Sequence, residues 1–238
     1  MAKPLVVVTG ASHGIGKAVA AAFAAEGHPL LLIARHKEPL DDLAADRVMQ
    51  AAVDVADYAA LEAAIRDAEA VHGPTECLVN NAGFIHIGPL QTRAAAEMSY
   101  EIDVLFKGVA YGIRCVLAGM IARKSGTIIN VSSIGDRAAG PDGEIYHASK
   151  AAVRSLGISL QKGQASNNVR VINIAPGLVK TNIHADMGIS FDEYCKLMGN
   201  PEFISANELA EIILFCWKLP QRICVRDMVV MPTSSSFV

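Results

Sequence analysis

No two cysteines in this chain stand at a metal-binding or redox spacing. The five of them (Cys77, Cys115, Cys195, Cys216 and Cys224) include no CxxC pair. That excludes a zinc-ribbon or dithiol site and reads as reduced, mostly buried thiols in a reducing compartment. A long basic run is missing too, and the formal net charge is −3, so nothing recommends a nucleic-acid surface. The apolar run in MAKPLVVVTG (1–10) is broken by Thr9 and Gly10. It is too short for a signal peptide or a membrane span, so a cytoplasmic protein without a membrane partner is expected. Linkers, low-complexity tracts and repeats are absent, and residues 1–238 are expected to form a single domain.

What the chain does have is apolar surface. Hydrophobic residues make up 52% of 238 positions, enough to bury a sizeable core and too many for a disordered chain. Short, nearly continuous apolar runs at 5–9, 30–34, 49–55, 77–80, 127–132, 169–175 and 227–231 read as strands buried on both faces. Alanine-rich periodic segments near 15–26, 57–72, 94–123, 146–165 and 207–217 read as helices. The last opens on a capping box, Ser205 with Glu208. Such alternation predicts an α/β fold, a Rossmann-type doubly wound parallel sheet of about seven strands with helices on both faces. Residues 182–203 break the rhythm. They carry Met187, Phe191, Tyr194, Met198 and Phe203 among loop-forming residues, which predicts a loop or lid, closing by about residue 205, over an apolar ligand.

The first strand runs into VVVTGASHGIGKAV. Gly10 permits a tight turn, while Gly14 and Gly16 allow close backbone approach. With Ser12, His13 and Ile15 they lead into a helix whose N-terminal amides suit a pyrophosphate. A glycine-rich connector without a ligand is the bland alternative, and the G-x3-G-x-G spacing differs from the commoner G-x-G-x-x-G. At the end of the second strand stands ARHKE (34–38), where binders of a free ribose 2′-hydroxyl carry an acid. Arg35, followed by His36 and Lys37, favours a 2′-phosphate, so NADP(H) is expected over NAD(H).

TGASHGIG (9–16), DV (54–55), NNAG (80–83), NVSS (130–133), YHASK (146–150) and APGLVKT (175–181) follow in order. Together they resemble the short-chain dehydrogenase/reductase family over nearly the whole chain. The resemblance implies that Asp54 and Val55 lie by the adenine and Asn81, Ala82 and Gly83 along the adenosine ribose. Pro176, Gly177, Val179 and Thr181 would hold the nicotinamide end, and Asn80 would brace the central strands. Ser133 matches the serine that orients a carbonyl, with Ser132 its structural neighbour. Tyr146 matches the general acid/base and Lys150 the lysine that lowers the tyrosine's pKa and grips the nicotinamide ribose.

That chemistry is consistent with the residues. Side chains four apart share a helix face, and a nearby ammonium favours tyrosinate. His147, about 100° further round the helix, is expected to point elsewhere. The expected activity is interconversion of a ketone and a secondary alcohol by a homodimer or homotetramer assembled through the long helices. Substrate contacts should come from 84–88, 134–144 and 182–203. Arg137 and His184 are available to a carboxylate, although lone loop charges are usually solvated.

One element of the family is missing. Leu105 stands where an Asn usually precedes the serine strand, with Gly108 as the matching glycine; Asp103 breaks that spacing. If the helix stays open there, the Leu105 carbonyl can still serve a water chain behind Lys150; if it closes, the relay is cut. A dinucleotide-binding regulatory or scaffold protein with decayed catalysis is therefore the competing expectation.

Overall fold

In the computed structural model, residues 3–36 and 47–235 are described; Lys37 of the basic run after the second strand lies outside them. Seven strands make one parallel sheet: β1 (Leu5–Thr9), β2 (Leu30–Ala34), β3 (Val48–Ala52), β4 (Thr75–Asn80), β5 (Thr127–Val131), β6 (Arg170–Pro176) and, last in the chain, β9 (Asp227–Val230). Their order is β3-β2-β1-β4-β5-β6-β9. The direction of winding reverses between β1 and β4, which opens a crevice beyond their carboxyl ends. Every residue of β1, β5 and β6 is buried, the physical reason their sequences read as unbroken apolar runs rather than alternating ones.

Two apolar clusters lie on the two faces of the sheet. One gathers Val6, Val8, Phe23, Leu32, Ile172 and Ile213; helices α1 (Gly14–Ala25) and α8 (Ala206–Lys218) pack there. The other gathers Leu5, Val7, Ile65, Ile113, Ile128 and Val153, from under α2 (Tyr58–His72), α4 (Gly108–Arg123) and α5 (Glu144–Gly163). The capping box at the start of α8 forms as expected: Glu208 N–H donates to Ser205 Oγ at 3.2 Å and Ser205 N–H to Glu208 Oε2 at 2.7 Å.

A continuous helical stretch, Ala95–Arg123, has an 18-residue window of mean hydropathy 1.6. It comprises α3 (Ala95–Ile102), a π turn (Asp103–Lys107) and α4. Val104, Val109, Ile113, Val116 and Met120 pack into the second cluster, so its apolar length belongs to the core of this fold.

Residues 182–203 differ from the expected loop. They hold α6 (Ile183–Asp186) and α7 (Phe191–Leu197). A second capping box begins α7, with Glu193 N–H donating to Ser190 Oγ and Ser190 N–H to the Glu193 carboxylate. The signature was legible as SFDE (190–193). Two two-residue strands flank the segment, β7 (Val179–Lys180) and β8 (Ile204–Ser205), and pair in parallel.

Candidate active site

Beyond the carboxyl ends of β1, β4, β5 and β6 lies a cavity of roughly 490 Å³. It brings together Gly10, His13, Gly14, Ile15, Asn81, Gly83, Ser133, Tyr146, Lys150, Pro176, Gly177, Val179 and Thr181 of the expected residues. Ser12, Gly16, Arg35, Asp54, Val55 and Ala82 lie outside its lining.

At the cavity's first end the glycine turn is held from within. Gly10 has φ +66°, and a Cβ there would stand 2.7 Å from Ala82 Cα, so only glycine permits this approach. Gly16 lies directly against the Gly10 carbonyl. Asn81 spends its side chain on the same turn, donating from Nδ2 to the Thr9 and Gly10 carbonyls at 3.1 Å each. Its side chain thereby acts as a clamp on the turn, while Asn81 also lines the cavity. Thr9 Oγ1 accepts from the Asn81 and Ala82 amides in return. His13 caps α1 without a side-chain hydrogen bond, and the first turn of α1 carries no acid. An uncapped, acid-free helix N-terminus facing a crevice is suited to an anion, and these residues fit the pyrophosphate of a dinucleotide.

Further along the same edge, Asp54 accepts from the Ala56 amide at 2.9 Å and from the Tyr100 hydroxyl at 2.6 Å. Tyr100 stacks on Phe84 with ring centroids 5.9 Å apart. Burial pushes the Tyr100 phenol up, the Asp54 bond adds to this, and a hydrogen bond with Arg35 pulls the other way. Tyr100 therefore ties α3 to Asp54, a link the sequence reading missed because its position within α3 follows no motif.

At the other end stand Ser133, Tyr146 and Lys150. Ser133 caps a short 3-10 turn, accepting from the Gly135 amide at 3.1 Å. Lys150 Nζ donates to the Val131 carbonyl at 2.9 Å, while Ser132 Oγ donates to the Lys150 carbonyl at 3.3 Å. The end of β5 and the start of α5 are thus tied by both residues. Tyr146 and Lys150 are 8% and 5% exposed. Burial holds the lysine down to about 8, with Asp136 opposing. Burial also pushes Tyr146 up to about 12, and a hydrogen bond with Ser133 is what lowers it. The expected depression by Lys150 is not found among the protein's own groups: the ammonium is directed at Val131 O, and its Nζ lies 5.8 Å from the Tyr146 ring centre.

Behind this wall an asparagine ladder crosses three strands. Asn80, Asn130 and Asn173 are in register. Asn80 Nδ2 donates to Asn130 Oδ1 at 3.0 Å, Asn130 Nδ2 to Asn173 Oδ1 at 3.1 Å, and Asn173 Nδ2 to the Arg154 carbonyl of α5 at 3.2 Å. The bracing role expected of Asn80 extends across the sheet to the helix that carries Tyr146.

Leu105 lies in the π turn, fully buried, its side chain against Gly83. The Gly108 amide bonds to the Asp103 carbonyl, five residues back. Where the family has its Asn, the stretch is therefore a π turn and not a regular α-helix. A π turn displaces the ordinary i→i+4 pairing of the backbone, so the distortion persists without an amide side chain to support it.

His147 is among the lining residues of the cavity, and its ring packs against Gly135 and Gly143 of the 134–143 loop, which wraps the start of α5. Arg137 and His184 are committed elsewhere. Arg137 pairs with Asp136 at 2.6 Å and with Asp227 at 2.9 Å, and His184 Nδ1 meets the Thr181 carbonyl at 3.0 Å beside the Phe191 and Tyr194 rings. Neither lines the cavity.

Comparison with known proteins agrees with this arrangement: the short chain dehydrogenase family matches residues 4–189. The chain belongs to the short-chain dehydrogenase family. An NADP-dependent 3-hydroxy acid dehydrogenase of Salmonella typhi is 30% identical over 239 residues, covering 98% of this chain and 96% of that protein. An uncharacterised oxidoreductase of Staphylococcus aureus (strain MW2) is 30% identical over 232 residues, 96% of each chain. Among solved structures, the closed form of a serine dehydrogenase complexed with NADP+ superposes with a TM-score of 0.90 at 29% identity, covering 98% of this chain and 96% of that one. The seven-stranded parallel sheet described above is the short-chain dehydrogenase architecture.

Proposed function

We propose that this short-chain dehydrogenase is an NADP(H)-dependent oxidoreductase interconverting a carbonyl and a secondary alcohol. The observation that carries the reading is the convergence of Ser133, Tyr146 and Lys150 at one end of a cavity whose other end is an acid-free helix N-terminus. When bound, the nicotinamide supplies or accepts the hydride. Ser133 orients the substrate oxygen. Tyr146 donates its proton to that oxygen in reduction and takes it back in oxidation. With Tyr146 pushed up to about 12, the phenol is protonated near neutral pH, the form reduction needs. Lys150, anchored on Val131 O, keeps an ammonium at the ribose end below about pH 8.

Arg35, directly after β2, supports the choice of NADP(H), as do the names of the Salmonella relative and the NADP+-bound serine dehydrogenase. A small-residue face of α5 (Ala148, Ala151, Ser155) is exposed, in keeping with a homo-oligomer; a cytoplasmic location belongs to the same reading. The π turn at Leu105 keeps a helix distortion at the place of the missing Asn, which supports the enzyme reading over a decayed scaffold.

Absorbance at 340 nm, a property of the reduced nicotinamide, tests the reading with NADPH and a panel of ketones and keto esters. Turnover is expected with NADPH ahead of NADH, and Arg35→Asp should reverse that preference by about tenfold or more, the loss of a charge-assisted contact. Tight NADPH binding with no turnover on any carbonyl would sink the enzyme reading.

A further inference from the structure

The cavity's substrate half is walled by Phe84, Ile87, Ala138, Pro141, Leu197 and Met198. Among the described residues, its lining holds no arginine and no lysine except Lys150, and Lys150 is tied to Val131 O. Asp142 is among the same lining residues. An organic acid would enter this space with no arginine, and no lysine besides Lys150, among those residues to meet it. Burying an unpaired charge is far more costly than burying a neutral polar group, so the wall selects against carboxylates. The two loop groups that sequence offered for an acid, Arg137 and His184, are already paired and outside the cavity.

Among the described residues, one buried side-chain polar atom of the lining has no partner, His147 Nδ1. The His147 ring is seated so closely over Gly135 that a Cβ there would overlap Nδ1, and a Cβ on Gly143 would come within 3.1 Å of Nε2. Nδ1 is buried and without a hydrogen-bond partner. A proton on Nδ1 would therefore be a buried donor with nothing to receive it, at a penalty of about 1–3 kcal/mol. The neutral tautomer protonated on Nε2 avoids this, and it leaves Nε2–H as an uncharged donor. The ring centroids of Tyr146 and His147 are 5.6 Å apart, within the span of one small molecule.

We infer that His147 is a substrate-binding residue that donates from Nε2 to a second oxygen, so that this chain takes an uncharged carbonyl compound of the keto-ester or hydroxy-ketone class rather than an acid. This deepens the carbonyl–alcohol reading above and rests on it for the position of the reacting oxygen. It sets the chain apart from its relative named for 3-hydroxy acids.

Binding separates the two ideas. Native protein saturated with NADP+ cannot reduce a ketone, so calorimetric titration with ethyl acetoacetate, methyl butyl ketone and acetoacetate reads recognition alone; if NADP+ fails to bind, the same titrations are made on the protein by itself. The ester should bind about tenfold more tightly than the ketone, the worth of one hydrogen bond, and more tightly still than the acid. His147→Phe should erase the ester's advantage over the ketone. His147→Gln, which keeps a neutral N–H donor, should restore part of it, and unchanged melting temperatures would show that the variants fold. Acetoacetate binding as well as its ester, an ester advantage that survives His147→Phe, or binding of none of the three would overturn the inference. Selective ester binding without NADPH turnover would instead sink the catalytic reading and leave this one standing.

Discussion

The two walls of the cavity are held by different kinds of bond. On the β5–α5 side, Lys150, Ser132 and the three ladder asparagines all end on backbone carbonyls or on one another, buried and in register with the sheet. On the 182–203 side, the ring system His184–Phe191–Tyr194–Phe203 packs edge and face at 5.3–6.3 Å, and the short helix α7 opens on an exposed capping box. Directional bonds in a dry interior fix a proton donor to a fraction of an ångström, whereas ring packing tolerates sliding. On the proposed reading, the first wall holds the reacting groups and the second covers them.

The largest test of that contrast is Tyr146→Phe, which should lower kcat by about 10³-fold while NADPH affinity in a fluorescence titration stays within a few-fold. Retained turnover would mean that the rigid wall carries no proton. Asn130→Ala comes next. It removes the middle rung and strands the amides of Asn80 and Asn173, at about 1–3 kcal/mol for each buried group left unpaired; urea unfolding should show a loss of about 2–4 kcal/mol.

A third test uses pH. Lys150 is held down to about 8 by burial, so its charged form prevails below that value and is lost above it. NADPH affinity should be level up to about pH 8 and then weaken toward tenfold per pH unit, a break that Lys150→Met should abolish. The smallest effect is expected on the covering wall. Tyr194→Ala should raise KM by about threefold to tenfold and leave the urea midpoint near that of the parent protein, because such a segment opens locally without unfolding the sheet. A midpoint lowered as far as that of Asn130→Ala would erase the distinction between the walls.

How much of this was legible depends on the range of the interactions. The strands were, because a parallel sheet covered on both faces favours near-continuous apolar runs, and β1, β5 and β6 are buried throughout with only a few paired polar residues such as Asn130 and Asn173 among them. The helix on 191–197 carried its own signature in Ser190 and Glu193, overshadowed by the glycines and prolines around it. The asparagine ladder has no such mark. Its rungs lie 50 and 43 residues apart, and only strand order and register bring them level.

The sequence by itself determined the α/β alternation, the glycine turn and the Ser133–Tyr146–Lys150 spacing, since local periodicity and backbone conformation dictate each of these. Tertiary structure decided the rest. It set a π turn at Leu105, turned Asn81 into a clamp on the glycine turn, committed Arg137 and His184 to other partners, and placed His147 in the lining of the cavity. Each of these depends on which groups distant in the chain compete for the same hydrogen bond or the same space, and that competition is settled only when the elements pack.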